Sequence, residues 1–257
     1  MQQQKDIFSV EEKIVLITGS SRGLGFTFAR AFGMKGAKII LNGRDATTLE
    51  QAAKSLEALG MQVFTSVFDV FDESSVKKEI NRIEKKIGPI DVLINNAGIN
   101  KRAPLEQLSL KDWNDVLRVN LTGAFIVSRE VVQRMIPRES GKIINICSLM
   151  SEVGRPTTAP YAASKGGIKM LTKAMTVEWA KYNIQVNGIG PGYFITEMTQ
   201  KLADDREFDS WIRNRTPAGR WGDPNELTGT AIFLASEASS FVNGQVIYVD
   251  GGLLAGI

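Results

Sequence analysis

Tyr161 and Lys165 stand four residues apart in the helix-forming stretch Tyr161-Ala162-Ala163-Ser164-Lys165. Positions four apart share a helix face, so both side chains can enter one crevice. A fixed ammonium beside a phenol favours the phenolate, which lets the tyrosine exchange a proton near neutral pH. Ser148 closely follows the apolar run Ile143 to Ile146 and could hold the reacting oxygen. As a bare pair, Tyr-x-x-x-Lys also arises where an aromatic residue and a lysine meet on a helix by chance. The chain has no histidine, which removes Ser-His-Asp and Cys-His nucleophilic catalysis and the usual histidine-containing zinc sites. No metal is expected. The single cysteine, Cys147, excludes an internal disulfide, fits a reducing compartment and reads as a small buried residue of a strand.

A second candidate is a glycine-rich turn. Ile14 to Ile17 is followed by Thr18-Gly19-Ser20-Ser21-Arg22-Gly23-Leu24-Gly25 and then by the helix-forming Phe26 to Met34. Strand, turn and helix come in the order a pyrophosphate site needs. Glycines allow a tight turn and close approach, and free amides at a helix N-terminus meet the phosphate charge. The spacing, Gly-x-x-x-Gly-x-Gly, differs from the Gly-x-Gly-x-x-Gly fingerprint, and an ordinary strand-to-helix connection also fits it. About 20 residues further on, such a unit presents an acid for the ribose of NAD or a base for the 2′-phosphate of NADP. Here the second strand ends Leu41-Asn42-Gly43-Arg44-Asp45. Gly43 takes the place of the acid, Arg44 follows, and Arg22 can reach the same phosphate with its forked donors. NADP is therefore expected, with solvated surface arginines as the alternative. Asp45 reads as the N-cap of a helix starting at Ala46.

These residues need a frame to hold them. The short, mostly β-branched runs Ile14 to Ile17, Lys38 to Leu41, Val63 to Phe68, Val92 to Ile94, Ile143 to Ile146, Val186 to Ile189 and Val246 to Val249 read as buried strands. Between them lie helix-length segments with polar faces, among them Ala46 to Leu59, Glu73 to Lys86, Trp113 to Met135 and Ala162 to Lys181. The alternation predicts an α/β fold of the Rossmann type, a doubly wound parallel sheet with helices on both faces. Gly36, Gly60, Gly88 and Gly141 each stand shortly before a strand and read as C-terminal helix caps.

The 257 residues, 43% hydrophobic, suit one domain over residues 1–257. Residues 1–10 read as a flexible N-terminal segment. The stretch 191–224, rich in charge and carrying Trp211 and Trp221, reads as a lid over the substrate. With 31 Lys and Arg against 28 Asp and Glu, the net charge of +3 is too small to point to nucleic acid or a membrane surface. Small-molecule partners are expected. No apolar stretch is long enough for a signal peptide or a membrane span, which predicts a soluble, cytoplasmic protein.

Taken together, the motifs resemble those of the short-chain dehydrogenase/reductase family, and the resemblance covers nearly the whole chain. It rests on Thr18 to Gly25, Asn-Asn-Ala-Gly at Asn95 to Gly98, Asn120, Ser148, Tyr161 with Lys165, and Pro191-Gly192 followed by Thr196. The resemblance implies that Tyr161 is the general acid-base and that Lys165 supports its phenolate while holding the nicotinamide ribose. Ser148 would orient the carbonyl or hydroxyl, and Asn120 would hold a water linking Lys165 to solvent. The implied NADP(H) site comprises Gly19, Ser21, Arg22, Gly23, Leu24, Gly25, Arg44, Asp69, Val70, Asn96, Gly98, Tyr161, Lys165, Pro191, Gly192 and Thr196. From the residues alone, Asn120 could equally be tolerated at a helix irregularity, and Asp69 could be only a strand-end cap.

Within the family, the likeness is greatest to members that interconvert D-gluconate and 5-keto-D-gluconate. It is carried by Ile143 to Ser148 with Ser151-Glu152, Asn183 to Gly188, Pro191 to Phe194 with Thr196 to Thr199, and Thr216 to Pro224. One departure stands out, because Lys101-Arg102-Ala103-Pro104 has alanine where such members carry histidine. The resemblance implies a sugar-acid substrate at Ser148 and Tyr161. The nearby loops offer Arg102 and Arg155 for its carboxylate and Glu152 for its hydroxyls, although both arginines could be solvated loop charges. Other readings are a 3-oxoacyl-carrier-protein reductase, a deoxy-keto-gluconate dehydrogenase, or a non-catalytic NADP-binding regulator. The regulator would have no use for Asn120, Ser148, Tyr161 and Lys165 together. The resemblance also implies a homotetramer, with Val246 to Gly252 near a subunit contact.

Overall fold

The computed structural model describes residues 6–256. Seven parallel strands form one sheet in the order β3-β2-β1-β4-β5-β6-β7. They are β1 Ile14–Ile17, β2 Lys38–Gly43, β3 Val63–Val67, β4 Val92–Asn95, β5 Gly141–Ile146, β6 Ile184–Pro191 and β7 Val246–Val249. Every apolar run expected as a strand is one, with small shifts in its bounds. The helices are α1 Gly23–Gly33, α2 Ala46–Glu57, α3 Glu73–Lys86, α4 Leu110–Leu117, α5 Ala124–Met135, α6 Ala159–Trp179, α7 Gln200–Ala203, α8 Arg206–Arg215 and α9 Thr228–Ala235.

Alternate residues of each strand serve opposite layers. Val15 and Ile17 join Ile39 and Leu41 against Phe28 and Phe32 of α1 and Leu49 and Leu56 of α2. Ile14 and Leu16 join Ile40 and Leu93 against Val76 and Ile80 of α3 and Val127 and Val131 of α5. Burial on both faces explains why the strands read as continuous apolar runs. The strand order reverses between β1 and β4, so the loops leaving their C-terminal ends diverge and open a crevice there.

Local chemistry sets the helix ends. The Asp45 side chain accepts from the Thr48 amide at 2.7 Å and starts α2, as expected. Asp72 does the same for α3 through Ser74 and Ser75. Gly36, Gly60 and Gly88 have φ of 80°, 80° and 138° and end their helices as expected. Gly141 does not, since it opens β5 and the left-handed residue before it is Glu139, with φ 48°. Glycine is needed at 141 for packing, because a Cβ there would stand 2.2 Å from the Met135 sulfur.

Two expected helices differ from the structure. Trp113 to Met135 is not continuous, because a π-helical turn at Arg118–Gly123 separates α4 from α5. Helix α6 begins at Ala159, before its expected start, with Pro160 in its first turn. Of the N-terminal segment 1–10, residues 1–5 lie outside the described residues. The rest is held against the body: the Ile7 carbonyl accepts from the Ala238 amide at 2.9 Å, Phe8 packs on Phe233, and Val10 is buried. No helix is long and apolar enough to cross a membrane. Among the described residues, no three His, Cys, Asp or Glu side chains converge as metal ligands would.

Candidate active site

The loops that follow β1, β4, β5 and β6 bring the expected residues to one end of the sheet. Lys165, one turn beyond Tyr161 on α6, is 4% exposed, and its Nζ donates to the Ile146 carbonyl at 2.6 Å. That ammonium lies 5.5 Å from the centre of the Tyr161 ring. Ser148 is linked to the same helix, since its amide donates to the Ser151 hydroxyl at 3.3 Å and that hydroxyl donates to the Lys165 carbonyl at 2.9 Å. The Ser148 hydroxyl accepts from the Met150 amide. Ser151 thus positions two candidate catalytic residues, a role that nothing in the sequence singled out.

Asn120 stands in the π-helical turn and is buried. Its Oδ1 accepts from the Ile99 amide at 2.8 Å, and its Nδ2 donates to the Ile99 carbonyl at 2.9 Å and to the Ser164 hydroxyl at 3.1 Å. Ser164 in turn donates to the Tyr161 carbonyl at 2.7 Å. The Asn120 side chain therefore fastens the loop after β4 to the second turn of α6. Both of its amide protons are occupied by protein. π-Helical turns leave α-helical acceptors unpaired and recur at functional sites, so the irregularity and the asparagine belong together.

The glycine turn fits a dinucleotide pyrophosphate. Arg22 precedes α1 in an extended conformation and supplies no side-chain cap, so the first amides of the helix have no side-chain acceptor. Gly19 has φ 61°, and a Cβ there would stand 2.8 Å from Ala97 Cα; at Gly25 it would stand 2.5 Å from both Asn96 Nδ2 and the Gly19 carbonyl. Asn96 Nδ2 donates to the carbonyls of Thr18 and Gly19 at 2.9 Å each, and the Thr18 hydroxyl accepts from the amides of Asn96 and Ala97 at 3.0 Å. Asn96 thus shapes the cradle. Asn42, which sequence reasoning passed over, is 1% exposed, accepts from the Gly19 amide and donates to the carbonyls of Ser66 and Phe68. Its one signal was a polar residue inside an apolar strand.

Gly43 faces the turn, where a Cβ would lie 3.8 Å from the Ser21 hydroxyl. No carboxylate stands there, and Arg44 and Arg22 are both largely exposed. Arg44 is 3.8 Å from Asp69, and Arg22 is 3.7 Å from Glu197. Asp69 also accepts from the Phe71 amide, so its strand-end role is met by the geometry. Val70 packs against Gly123 of the π-helical turn, and Gly98 lies against Asn120. At the end of β6, Pro191 pairs with Val249 and Gly192 backs onto Asp250, while the Thr196 amide and hydroxyl both meet the Thr199 hydroxyl.

The expected substrate residues divide. Arg155 donates to the Tyr193 hydroxyl at 3.2 Å and lies 4.3 Å over the ring of Phe208. Arg102 is exposed; partial desolvation of its guanidinium first, and then the Arg155 charge, pull its pKa down. Lys101 beside it is held by Asp112 and Asp115 at 2.6 and 2.7 Å, which holds Asp115 at about 2 and fixes this loop to α4. Glu152 is not brought to the arginines. Its carboxylate is taken by Lys169, at 2.5 and 2.6 Å, and by the Tyr248 hydroxyl, and those bonds lower its pKa. The ion pair was invisible in the sequence, because Lys169 and Tyr248 lie 17 and 96 residues away.

With this geometry in view, the pattern typical of short chain dehydrogenases matches residues 13–207. The chain belongs to the short-chain dehydrogenase family. Among family members it is 52% identical over 248 residues to gluconate 5-dehydrogenase of Gluconobacter oxydans, covering 96% of this chain and 97% of that one. It is also 52% identical over 254 residues to 2-dehydro-3-deoxy-D-gluconate 5-dehydrogenase of Formosa agariphila, covering 98% and 96%. A gluconate 5-dehydrogenase from Burkholderia cenocepacia, solved in complex with NADP and tartrate, superposes with a TM-score of 0.96 at 50% identity, covering 98% of this chain and 99% of that one. Family membership makes the constellation of Asn120, Ser148, Tyr161 and Lys165 the candidate reaction centre and the glycine turn the candidate cofactor cradle.

Proposed function

We propose that the protein is an NADP(H)-dependent oxidoreductase that interconverts D-gluconate and 5-keto-D-gluconate. One observation carries the reading: a bonded Ser148, Lys165 and Asn120 framework surrounds Tyr161 in a chain 52% identical over nearly its whole length to a gluconate 5-dehydrogenase. When bound, the nicotinamide supplies the hydride for reduction and accepts it in oxidation. Tyr161 gives its phenolic proton to the C5 oxygen during reduction and takes it back during oxidation. The Ser148 hydroxyl donates to that same oxygen and fixes which carbon is presented. With one N–H on Ile146, Lys165 has donors left that would hold the ribose hydroxyls.

The amides at the start of α1, with Gly19, Ser21, Gly23, Leu24 and Gly25, would hold the pyrophosphate, and Arg22 with Arg44 the 2′-phosphate. The Arg44–Asp69 contact is long and exposed, so it opposes that exchange by no more than about 1 kcal/mol. Asp69, Val70, Asn96 and Gly98 would border the adenosine half, and Pro191, Gly192 and Thr196 the nicotinamide half. Arg102 and Arg155 would bind the substrate carboxylate.

The Formosa agariphila relative supports a second reading, in which the substrate is the deoxy-keto-gluconate. NADPH oxidation with 5-keto-D-gluconate, 2-keto-3-deoxy-D-gluconate's oxidised form and an acetoacetyl thioester tests all three substrate classes. The first should give the highest kcat/KM, and a higher value for either of the others replaces the reading. We further infer one cytoplasmic domain whose segment 191–224 covers the substrate and which assembles as a homotetramer. Exposed Phe125 and Met170 flank an apolar groove between α5 and α6 that suits a subunit contact, and sedimentation equilibrium tests the assembly.

A further inference from the structure

We propose that Tyr193 is the positioning residue that presents Arg155 to the carboxylate of the substrate. The inference rests on the sugar-acid reading above and extends it to a residue outside the loop that carries the arginine. Tyr193 directly follows Gly192 at the end of β6. Its ring is held edge-on by three aromatic neighbours: Phe208 at 5.7 Å, Trp211 at 6.3 Å and Trp221 at 5.7 Å between centroids. Trp221 is itself buried, and its indole N–H donates to Asp209 at 2.7 Å. The Tyr193 hydroxyl therefore has a fixed place, and it is there that Arg155 donates.

Arg155 is held on two further sides. Its guanidinium carbon lies over the Phe208 ring, 4.3 Å from its centre, so a cation–π contact and a hydrogen bond together fix its position. Its main chain is equally constrained, since the amide and the hydroxyl of Thr158 both donate to the Arg155 carbonyl, at 3.3 and 2.8 Å. Between them Thr157 has φ 68°, a left-handed conformation that a β-branched residue adopts only when its surroundings impose it.

The partner's chemistry is the informative part. Arg22, Arg44, Arg213 and Arg220 each lie within ion-pair reach of a carboxylate. Arg155 and Arg102 form no such pair among the described residues, and the Arg155 charge is one cause, after desolvation, of the lowered pKa of Arg102. A neutral hydroxyl orients a guanidinium without cancelling its charge, whereas an aspartate in its place would compete with an anionic ligand. Tyr193 thus leaves Arg155 both aimed and uncompensated. A carboxylate entering between the two arginines would relieve their repulsion and find one of them already oriented.

Calorimetric binding of gluconate and of gluconamide to the NADP-loaded enzyme tests this. Wild type should prefer the acid, and Tyr193→Phe, which keeps the ring in its aromatic setting, should reduce that preference by about 10-fold, the lower end of what a hydrogen bond to a charged group carries. Gluconamide binding should stay unchanged. In an Arg155→Met background, Tyr193→Phe should have no further effect on gluconate. If wild type shows no preference for the acid, the sugar-acid reading fails. If it does and the preference survives Tyr193→Phe, or if acid and amide weaken equally, the role of Tyr193 alone is overturned. Should Tyr193→Phe not fold, Arg155→Lys keeps the charge but loses the fork; an undiminished preference for the acid in that variant also overturns the proposal.

Discussion

The ammonium of Lys165 on α6 donates to the main-chain carbonyl of Ile146, 2.6 Å away at the end of β5. A buried cation is thereby given an acceptor and a fixed direction. Lys165→Met removes both and leaves the Ile146 carbonyl unpartnered, which should cost about 1–3 kcal/mol of stability and lower the melting temperature. Tyr161→Phe should do the opposite, leaving melting unchanged while turnover falls by about 100-fold or more, the scale of lost general acid-base catalysis. NADPH titration should still saturate it. Near-normal turnover in Tyr161→Phe would remove the tyrosine from the mechanism.

Cofactor choice should depend on Arg44 and on the space beside Gly43. Arg44→Ala is expected to weaken NADPH by about 1.5–3 kcal/mol and leave NADH nearly unaffected, as fits a charged hydrogen bond to the extra phosphate. Gly43→Asp should reverse the preference, because the new carboxylate would face the Ser21 side of the cradle, where it accepts from a ribose and repels a phosphate. Kd values for both cofactors decide the matter. Equal weakening of the two would assign Arg44 a purely structural part.

Arg102→Met should raise KM for 5-keto-D-gluconate by about 10-fold, again on the scale of a charged hydrogen bond. An uncharged ketose of the same length should be turned over with its KM unchanged. Steady-state kinetics on the two substrates provides the check, and a wild-type ratio of their KM values would show that the acid is bound elsewhere.

Lys142 offers a pH test away from the reaction centre. It lies in β5 between Val92 and Gln185, is 5% exposed, and its Nζ has no hydrogen-bond partner. Burial outweighs the opposing attraction of Glu237 and, with the smaller push of the Lys13 charge, lowers its pKa from 10.5 to about 8. The unfolded chain therefore binds more protons between those two values. The penalty for the buried charge is full below about pH 8 and fades as the pH rises toward 10.5. Lys142→Met should raise the melting temperature at pH 7, by about 2–4 °C for each kcal/mol relieved, and the gain should shrink steadily above pH 8. A gain that is constant across this range would trace to packing rather than charge.

The strands were legible because both faces of the sheet are covered, which leaves runs such as Ile143 to Ile146 with no polar interruption. Asp45 and the glycines at 36, 60 and 88 were legible because capping is local. What escaped depended on contacts distant in sequence. Glu152 turned to Lys169 and Tyr248, and Asn42 turned to Ser66 and Phe68. Gly141 looked like a cap because the Met135 sulfur that demands it belongs to the preceding helix. The break between α4 and α5 was marked only by Asn120, for which a helix irregularity was one of two readings, since a π-helical turn alters hydrogen bonding without requiring glycine or proline.

That break has a mechanical consequence. A π-helical turn carries one residue more than the α-helical turn it replaces and absorbs it by widening locally. The phase of α5 is therefore the one an unbroken helix would have, and Ile126, Val127 and Val131 stay buried against the sheet. Deleting a single residue within Arg118–Gly123 should restore a regular helix with that hydrophobic layer still in place. What the deletion would cost is the local set of contacts that Asn120 makes to Ile99 and Ser164. The irregularity thus frees one side chain to tie two distant segments together without disturbing the packing of the helix that carries it.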